Sequence, residues 1–547
     1  MKKALKLLIL LAVSSTMFVS CDDMLGVDSS RLVTDDEYGH SPNDSLYSTF
    51  GILSRLQKLA DSYVLLGELR GDLLDVTESS DISLREIYSF DVSKNNKYVD
   101  LNNYYDVINN CNYVLKNLDS AKVDAGRKLE LSQYAAIKSI RAWTYMQIAL
   151  NFKTATYYVD PILTIEDSKK TYPEYNIEEL ADVLIADLNP LKDVPMPNIG
   201  YIGSYKISYS YFPIRFLLGD LYLWKGDYKN AATEYHDLMF KDYLTVNKGY
   251  TASWQTTNNT ITTTANINWM SALTLGSGEV ISTITCPTQF GQRFELDSLN
   301  YQGKLVPSAI ALNNWDSQTY FLNEASNAQG DLRKYGSVWQ KSRLSSTTNI
   351  AYEFKPADFV TEKDYNYILK YKLYNQNVVV YRTALLYLRY AEAVNRLNKP
   401  NLAFAVLKNG LNSTTMYNHA IIPVNEKDSA TAALMNFGDF RFTNNVGIRM
   451  RGVGNADKDT TFYVFQSQPS LHDSVLYVEN LIQKELALET AFEGNRFHDL
   501  MRITLRRMKN NEGDASYLAN LIAPKHMGNE AVIREKLMHP ENWYIKK

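Results

Sequence analysis

Apolar residues recur at three- and four-residue spacing over 45–60, 102–118, 129–150 and 177–188, and this period predicts an amphipathic helix at each place. Two further stretches carry the same period twice, interrupted by a polar turn. In FLLGDLYLWKGDYKNAATEYHDLMF (216–240) the turn is KGDY, and in ALLYLRYAEAVNRLNKPNLAFAVLKNGLN (384–412) it is NKPN. Each reads as a helical hairpin. Over 250–350 the texture changes to TASWQTTNNTITTTANINWM, GSGEV and LSSTTNIAYEF. This segment is rich in Thr, Asn, Ser and Gly and has little helical period, so loops and short strands are expected.

The hairpins carry both small and large residues on their helices. Gly219 and Tyr222 fall on the first helix of 216–240, and Ala231, Ala232 and Tyr235 on the second. Small residues let helices approach while aromatic rings fill the space between repeats, the pattern of tetratricopeptide-like pairs. Such pairs cannot bury their faces alone and must stack. The expected fold class is therefore mainly α, a tetratricopeptide-like helical hairpin scaffold with a large irregular loop and short-strand region. Trp143 and Trp224 lie on helical patterns and are expected in the core.

The N-terminus changes the picture of where the chain resides. MKKALKLLILLAVSSTMFVSCDD begins with Lys2, Lys3 and Lys6 and continues into a short apolar run, Leu7 to Val13. A run this short suits a secretory signal, whereas a membrane span needs about 20 apolar residues. FVSC resembles a bacterial lipobox, with Cys21 as the lipidated residue. Residues 1–20 read as the lipoprotein signal peptide and 21–44, acidic and poor in apolar anchors, as the lipidated Cys and a flexible tether. No other run approaches membrane length. Removing 1–20 takes three lysines and no acid, so the remaining charge is 54 − 61 = −7. An acidic chain with no long basic run argues against a nucleic-acid partner. Besides Cys21 only Cys111 and Cys286 are present; Cys111 reads as a small buried thiol on a helix, and whether the two pair is not legible.

Catalytic motifs are missing. The sequence has no HExxH, no P-loop, no G-x-S-x-G and no complete dinucleotide fingerprint, RGVGNAD (451–457) lacking the third glycine. The seven histidines are scattered, and DVSKNNKYVD (91–100) lacks the Gly and closing Glu of a calcium loop. No catalytic residue, metal ligand or cofactor is expected; a structural calcium would leave no readable mark. Four of the seven tryptophans fall in the polar segment. Loops held on a rigid scaffold are where binding sites usually sit, and flat aromatic faces beside amide groups suit ligand contact. Trp254, Trp269, Trp315, Tyr320 and Trp339 are therefore the candidate ligand contacts.

Several separate segments together resemble the SusD/RagB family, surface lipoproteins of Bacteroidetes that bind nutrients for an outer-membrane transporter. They are CDDMLGVDSSRLVTDDEY after the signal, SIRAWTYMQIALNFKTATYYVDPIL (139–163), YLRYAEAVNRL (387–397) and KELALETAFEGNRFHDLMR (484–502), in the family's order. Leu486, Thr490 and Phe497 stand where the family usually has Arg, Leu and Trp. The resemblance implies one SusD-like domain over 45–547. An N-terminal helical part (45–249), a loop-rich ligand-surface part (250–380) and a C-terminal helical part (381–547) would compose it. It also implies lipid anchoring on the outer face of the outer membrane, signalled by Asp22 and Asp23, and docking on a SusC-like TonB-dependent barrel. The function it implies is capture of an oligosaccharide for that transporter. Capture of peptides by the same scaffold is the alternative. A surface glycoside hydrolase would need two carboxyls facing each other across a sugar, about 5–10 Å apart.

Glu485, Glu489 and Glu493 are the only orderly acids, about 6 Å apart along one helical face. Pointing the same way, they cannot flank a glycosidic bond. Like charges so placed repel, so partners are expected, and Arg496 and Arg502 beyond Gly494 are the nearest candidates.

Overall fold

The computed structural model describes residues 44–547 apart from 125–126, 129, 199, 203–204, 258–259, 268–271, 287–292, 324–325, 340–365 and 374–375. The signal peptide, Cys21 and the tether up to residue 43 lie outside the described residues. The chain divides into two compact units, 1–50 and 51–547. Of the first, only the opening of helix α1 (Asp44–Leu56) is described.

The helical periods become helices close to where the spacing put them. Together with helices that the spacing did not announce, the helices after α1 are α2 (Ala60–Glu68), α3 (Leu101–Asn117), α4 (Leu131–Phe152), α5 (Ile177–Leu188), α6 (Ile214–Lys225), α7 (Tyr228–Asp242), α8 (Ala309–Asp316), α9 (Thr383–Arg396), α10 (Pro400–Lys408), α11 (Leu471–Glu489) and α12 (Arg496–Lys509). Their ends follow local chemistry. Asn176 begins α5 with a capping box, its side chain accepting from the amides of Glu178 and Glu179 while Glu179 accepts from the amide of Asn176. Pro400 opens α10 where its missing N–H costs nothing.

The helices stack in chain order: α3 packs on α4, α4 on α5, α5 on α6, α6 on α7, α7 on α9, and α9 and α10 on α11. Within the α6–α7 hairpin, a Cβ at Gly219 would lie 2.3 Å from the Tyr235 ring, so the smallest residue is what admits the aromatic. Tyr235 then donates to Asp220 at 2.6 Å in the interior. Trp143 is buried on α4, stacked on Phe212 at 4.8 Å, and Trp224 is buried on α6.

The loop-rich part is built from two-stranded antiparallel pairs; among the described residues no sheet exceeds two strands. The first pair is β1 (Ala252–Thr257) with β2 (Thr260–Ile267), and β3 (Val280–Thr285) follows. Next come β4 (Thr319–Asn323) and β5 (Ser326–Gln329), paired with each other, and then β6 (Asn377–Arg382). β3 pairs with β6, Val280 opposite Arg382 and Thr285 opposite Asn377. The excursion between them thus returns to its starting point just before α9. One helix the sequence reading missed lies inside it: Ser308 caps α8 by accepting from the amide of Ala311 at 3.0 Å. Cys111 and Cys286 are both buried and unpaired.

Candidate functional site

The five aromatic candidates separate. Trp269 lies outside the described residues, as do the side chains of Trp254 on β1 and Trp339. Trp315 and Tyr320 must be corrected: both are fully buried. Trp315 sits on α8 rather than in a loop, donating its indole N–H to the Leu488 carbonyl at 3.1 Å and packing 6.0 Å from the Phe492 ring. Tyr320, the second residue of β4, donates to the buried carboxylate of Asp331 and lies 4.7 Å under the Arg449 guanidinium. Neither presents a face to solvent.

The glutamates are corrected as well. Helix α11 stops at Glu489, with Thr490 as its C-cap, so Glu493 reaches the same place from a turn. That turn holds Phe492 at φ +69° and Gly494 at φ +89°. Gly67 packs so closely there that a Cβ on it would lie 1.8 Å from the Gly494 carbonyl oxygen. All three glutamates are buried, and their partners come from far away in the chain. Arg333 donates to Glu485 (2.6 Å) and Glu489 (2.9 Å), and also holds Asp331. Arg382 donates to Glu493 (2.7 Å), Glu489 (2.8 Å) and Glu279 (2.9 Å). Arg451 bridges Glu279 (2.6 Å) and Glu489 (2.7 Å), Arg449 reaches Glu485 (3.3 Å), and Lys370 reaches Glu493 (2.5 Å).

Five cations therefore meet five carboxylates, Glu279, Asp331, Glu485, Glu489 and Glu493, and the formal charge sums to zero. Burial would push Glu489 up, but Arg451, Arg382 and Arg333 outweigh it and hold the carboxylate well below its usual range. Burial opposes ionisation of Glu279 too, and Arg451 and Arg382 reverse it. Glu489 and Glu279 are thereby held in their charged form. Their job is legible from chain positions: Glu279, Arg333, Lys370 and Arg382 all belong to the loop-rich part or its closing strand. The glutamate signature fastens that part to the helical scaffold.

Arg496 and Arg502, expected on these glutamates, pair elsewhere. Arg496 grips Asp72 with two hydrogen bonds (2.5 and 2.7 Å). Arg502 grips Glu392 likewise (2.9 and 2.6 Å) and reaches Asp499 (2.9 Å), which Arg389 also binds. The YLRYAEA and NRFHDLMR segments thus interlock through Arg389–Asp499 and Glu392–Arg502. Glu68 completes the joint, accepting from the amides of Phe492 (3.1 Å) and Gly494 (2.8 Å).

Among the described residues, three exposed aromatics lie together where α7 ends. Phe440 is 84% exposed, Tyr417 76% and Tyr243 61%. Tyr417 closes a short helix, Ser413–Tyr417, begun by Asn412 accepting from the amide of Thr415 at 3.0 Å. Its hydroxyl packs against Gly438. Asp439 accepts from Arg441 (2.8 and 2.7 Å), aiming the guanidinium 4.7 Å over the Tyr243 ring. Beneath lies a rigid layer: Phe437 and Phe442 are fully buried, 5.1 Å apart, and Phe240 packs on both. Exposed Asn418, His419, Asn436 and Asn444 surround these apolar faces with hydrogen-bond donors and acceptors. The signal in the sequence was NFGDFRF (436–442), three phenylalanines in a polar turn, two of which point inward. Asn445, just past this segment, accepts from the amide of Val246 at 2.7 Å and so ties the platform to the entry of the loop-rich part.

No protein-family model matches the sequence, and no curated protein matches it. Solved structures do. A SusD superfamily protein from Bacteroides vulgatus ATCC 8482 shares 15% identity, with 88% of this chain and 92% of that one covered at a TM-score of 0.56. NanU of B. fragilis shares 17% identity over 90% and 95% of the chains at 0.54. A laminarin-binding SusD-like protein shares 15% over 93% and 99% at 0.50. The chain has a SusD-like fold: a mainly helical, tetratricopeptide-like scaffold carrying an irregular insertion. The fold expected from the scattered sequence motifs is the one found.

Proposed function

We propose that this chain is a glycan-binding lipoprotein of the SusD/RagB kind that captures an oligosaccharide at the cell surface. Cys21 carries its lipid, and a SusC-like TonB-dependent transporter in the outer membrane receives the sugar. The observation that carries this reading is the SusD-like fold extending over most of the chain, in company with a structure described as laminarin-binding. Among the described residues no helix is long and apolar enough to cross a membrane, which suits attachment by a lipid.

The ligand surface is the Tyr243, Tyr417 and Phe440 platform, and Trp254, Trp269 and Trp339 of the loop-rich part are further candidate contacts. Titrating oligosaccharides and peptide mixtures against the purified protein tests both ligand and surface. Saturable binding of a glycan, weakened at least tenfold by Tyr417→Ala with Phe440→Ala at an unchanged melting temperature, is expected; these residues are too exposed to carry stability. Binding of peptides instead, or turnover of the bound glycan, overturns the reading. Full affinity in the double variant overturns the platform.

A further inference from the structure

Three of the arginines that the fold buries completely sit among carboxylates. Arg333 touches Asp331, Glu485 and Glu489; Arg382 touches Glu279, Glu489 and Glu493; Arg451 touches Glu279 and Glu489. Arg70 is different. It is 1% exposed and stacks 4.3 Å over the Phe497 ring. Its Nε donates to the Leu66 carbonyl (2.8 Å) and Nη1 to the Trp543 carbonyl (3.0 Å), while Nη2 meets Asn151 Oδ1 and lies 3.2 Å from His498 Nε2. All these partners are uncharged, because burial and then the neighbouring Arg70, Arg389 and Arg502 hold the His498 imidazole neutral. Among the described residues no carboxylate pairs with Arg70. Burial pushes its guanidinium down to about 9, whereas its paired counterparts are pushed up.

A buried cation with no counter-charge is costly to a fold and is rarely kept without a use. Arg70 lines a cleft of about 250 Å³ formed with the C-terminal segment. Phe90, Trp543 and Tyr544 supply walls, and Lys536 and Lys546 bring two amines. Asp91 is the one acid in the lining, and Lys536 already pairs with it. Three cations less one carboxylate leave the cleft with a net charge of +2. Among the described residues, Arg70 and Lys546 have no carboxylate partner. The Arg70 Nη1 carries two hydrogens, and the Trp543 carbonyl takes one.

We propose that this cleft binds a small organic carboxylate, no larger than a single sugar acid. Its carboxylate meets the Arg70 guanidinium and the Lys546 amine, and its apolar face rests on Phe90 and Tyr544. The planar guanidinium favours a planar carboxylate, and the cleft volume limits the rest of the molecule. None of the glycan platform's residues line the cleft, so the proposal does not depend on that surface.

Calorimetric titration of the purified protein at low ionic strength with D-glucuronate, D-glucose and inorganic phosphate tests it. Glucuronate is expected to saturate one site, and glucose to give no binding. Arg70→Met should abolish binding. Lys546→Glu, at the exposed rim, should weaken it at least tenfold with an unchanged melting temperature, and it decides the matter if Arg70→Met does not fold. Absence of glucuronate binding, equal affinity for glucose, or full affinity in Lys546→Glu overturns the site. Phosphate binding more tightly than glucuronate overturns the assignment to carboxylates.

Discussion

Replacing Glu489 with Gln removes one charge from the centre of the buried network and alters almost nothing else in shape. One carboxylate oxygen accepts from Arg333 and the other from Arg382 and Arg451. Whichever way the new amide is turned, its NH₂ faces a guanidinium. Five cations then confront four carboxylates in a site where Glu489 is 0% exposed. Breaking a buried ion pair from one side typically costs about 3–5 kcal/mol, because the partner is left charged and dry. At roughly 2.1 cal/mol/K per residue, a unit of about 500 residues unfolds with an entropy of about 1 kcal/mol/K, so the melting temperature should fall by about 3–5 °C. Urea unfolding followed by far-UV circular dichroism measures the free energy, and differential scanning calorimetry the temperature. The control is Glu178→Gln, which breaks a surface pair with Lys509 at 2.7 Å, where the glutamate side chain is 46% exposed. That change should stay within about 0.5 kcal/mol. If Glu489→Gln is no more destabilising than the control, the network is not what fastens the loop-rich part to the scaffold.

Two further changes probe the scaffold itself. Gly219→Ala places a methyl 2.3 Å from the Tyr235 ring and should cost about 1–3 kcal/mol through forced repacking, read from the urea midpoint; a neutral result means the α6–α7 spacing is softer than its packing implies. Burial, with help from Lys525, pushes the His526 imidazole down from 6.5 to about 3. The unfolded chain therefore takes up a proton near pH 6.5 that the folded chain refuses until about 3, so stability is whole above 6.5 and drains as pH falls toward 3. His526→Gln should flatten that acid limb in urea titrations at pH 7, 5 and 4, and an unchanged slope assigns the loss to other groups.

Local chemistry made the helices readable. The three- and four-residue period of 102–118 and 177–188 became Leu101–Asn117 and Ile177–Leu188 because a buried face and a cap are written within a few residues of each other. The small residues Gly219, Ala231 and Ala232 marked a close helix approach in the same way, but that Gly219 meets Tyr235 was decided by the packing. The candidate ligand residues were harder. Trp315 looked like a loop tryptophan because its helix, α8, is only eight residues long, too short for a period to stand out from a polar surround. Its cap, Ser308, was the available sign. Phe440 hid among neighbours of the same type, since nothing local distinguishes the phenylalanine that faces out from the two that face in.

By itself the sequence determined a helical hairpin scaffold and an irregular insertion, and it singled out the carboxylates of the C-terminal signature as groups in need of cationic partners. Which cation meets which carboxylate was decided only by tertiary structure. Arg333 and Glu485 are 152 residues apart, and Arg496 and Asp72 are 424 apart. The nearest arginines in the chain, Arg496 and Arg502, were drawn away because the Gly67–Gly494 approach turns the chain and aims them at Asp72 and Glu392 instead. Hydrophobic period and capping act over a turn or two of chain. Charge pairing in a dry interior follows the topology that brings distant segments together, and no short window of residues records it.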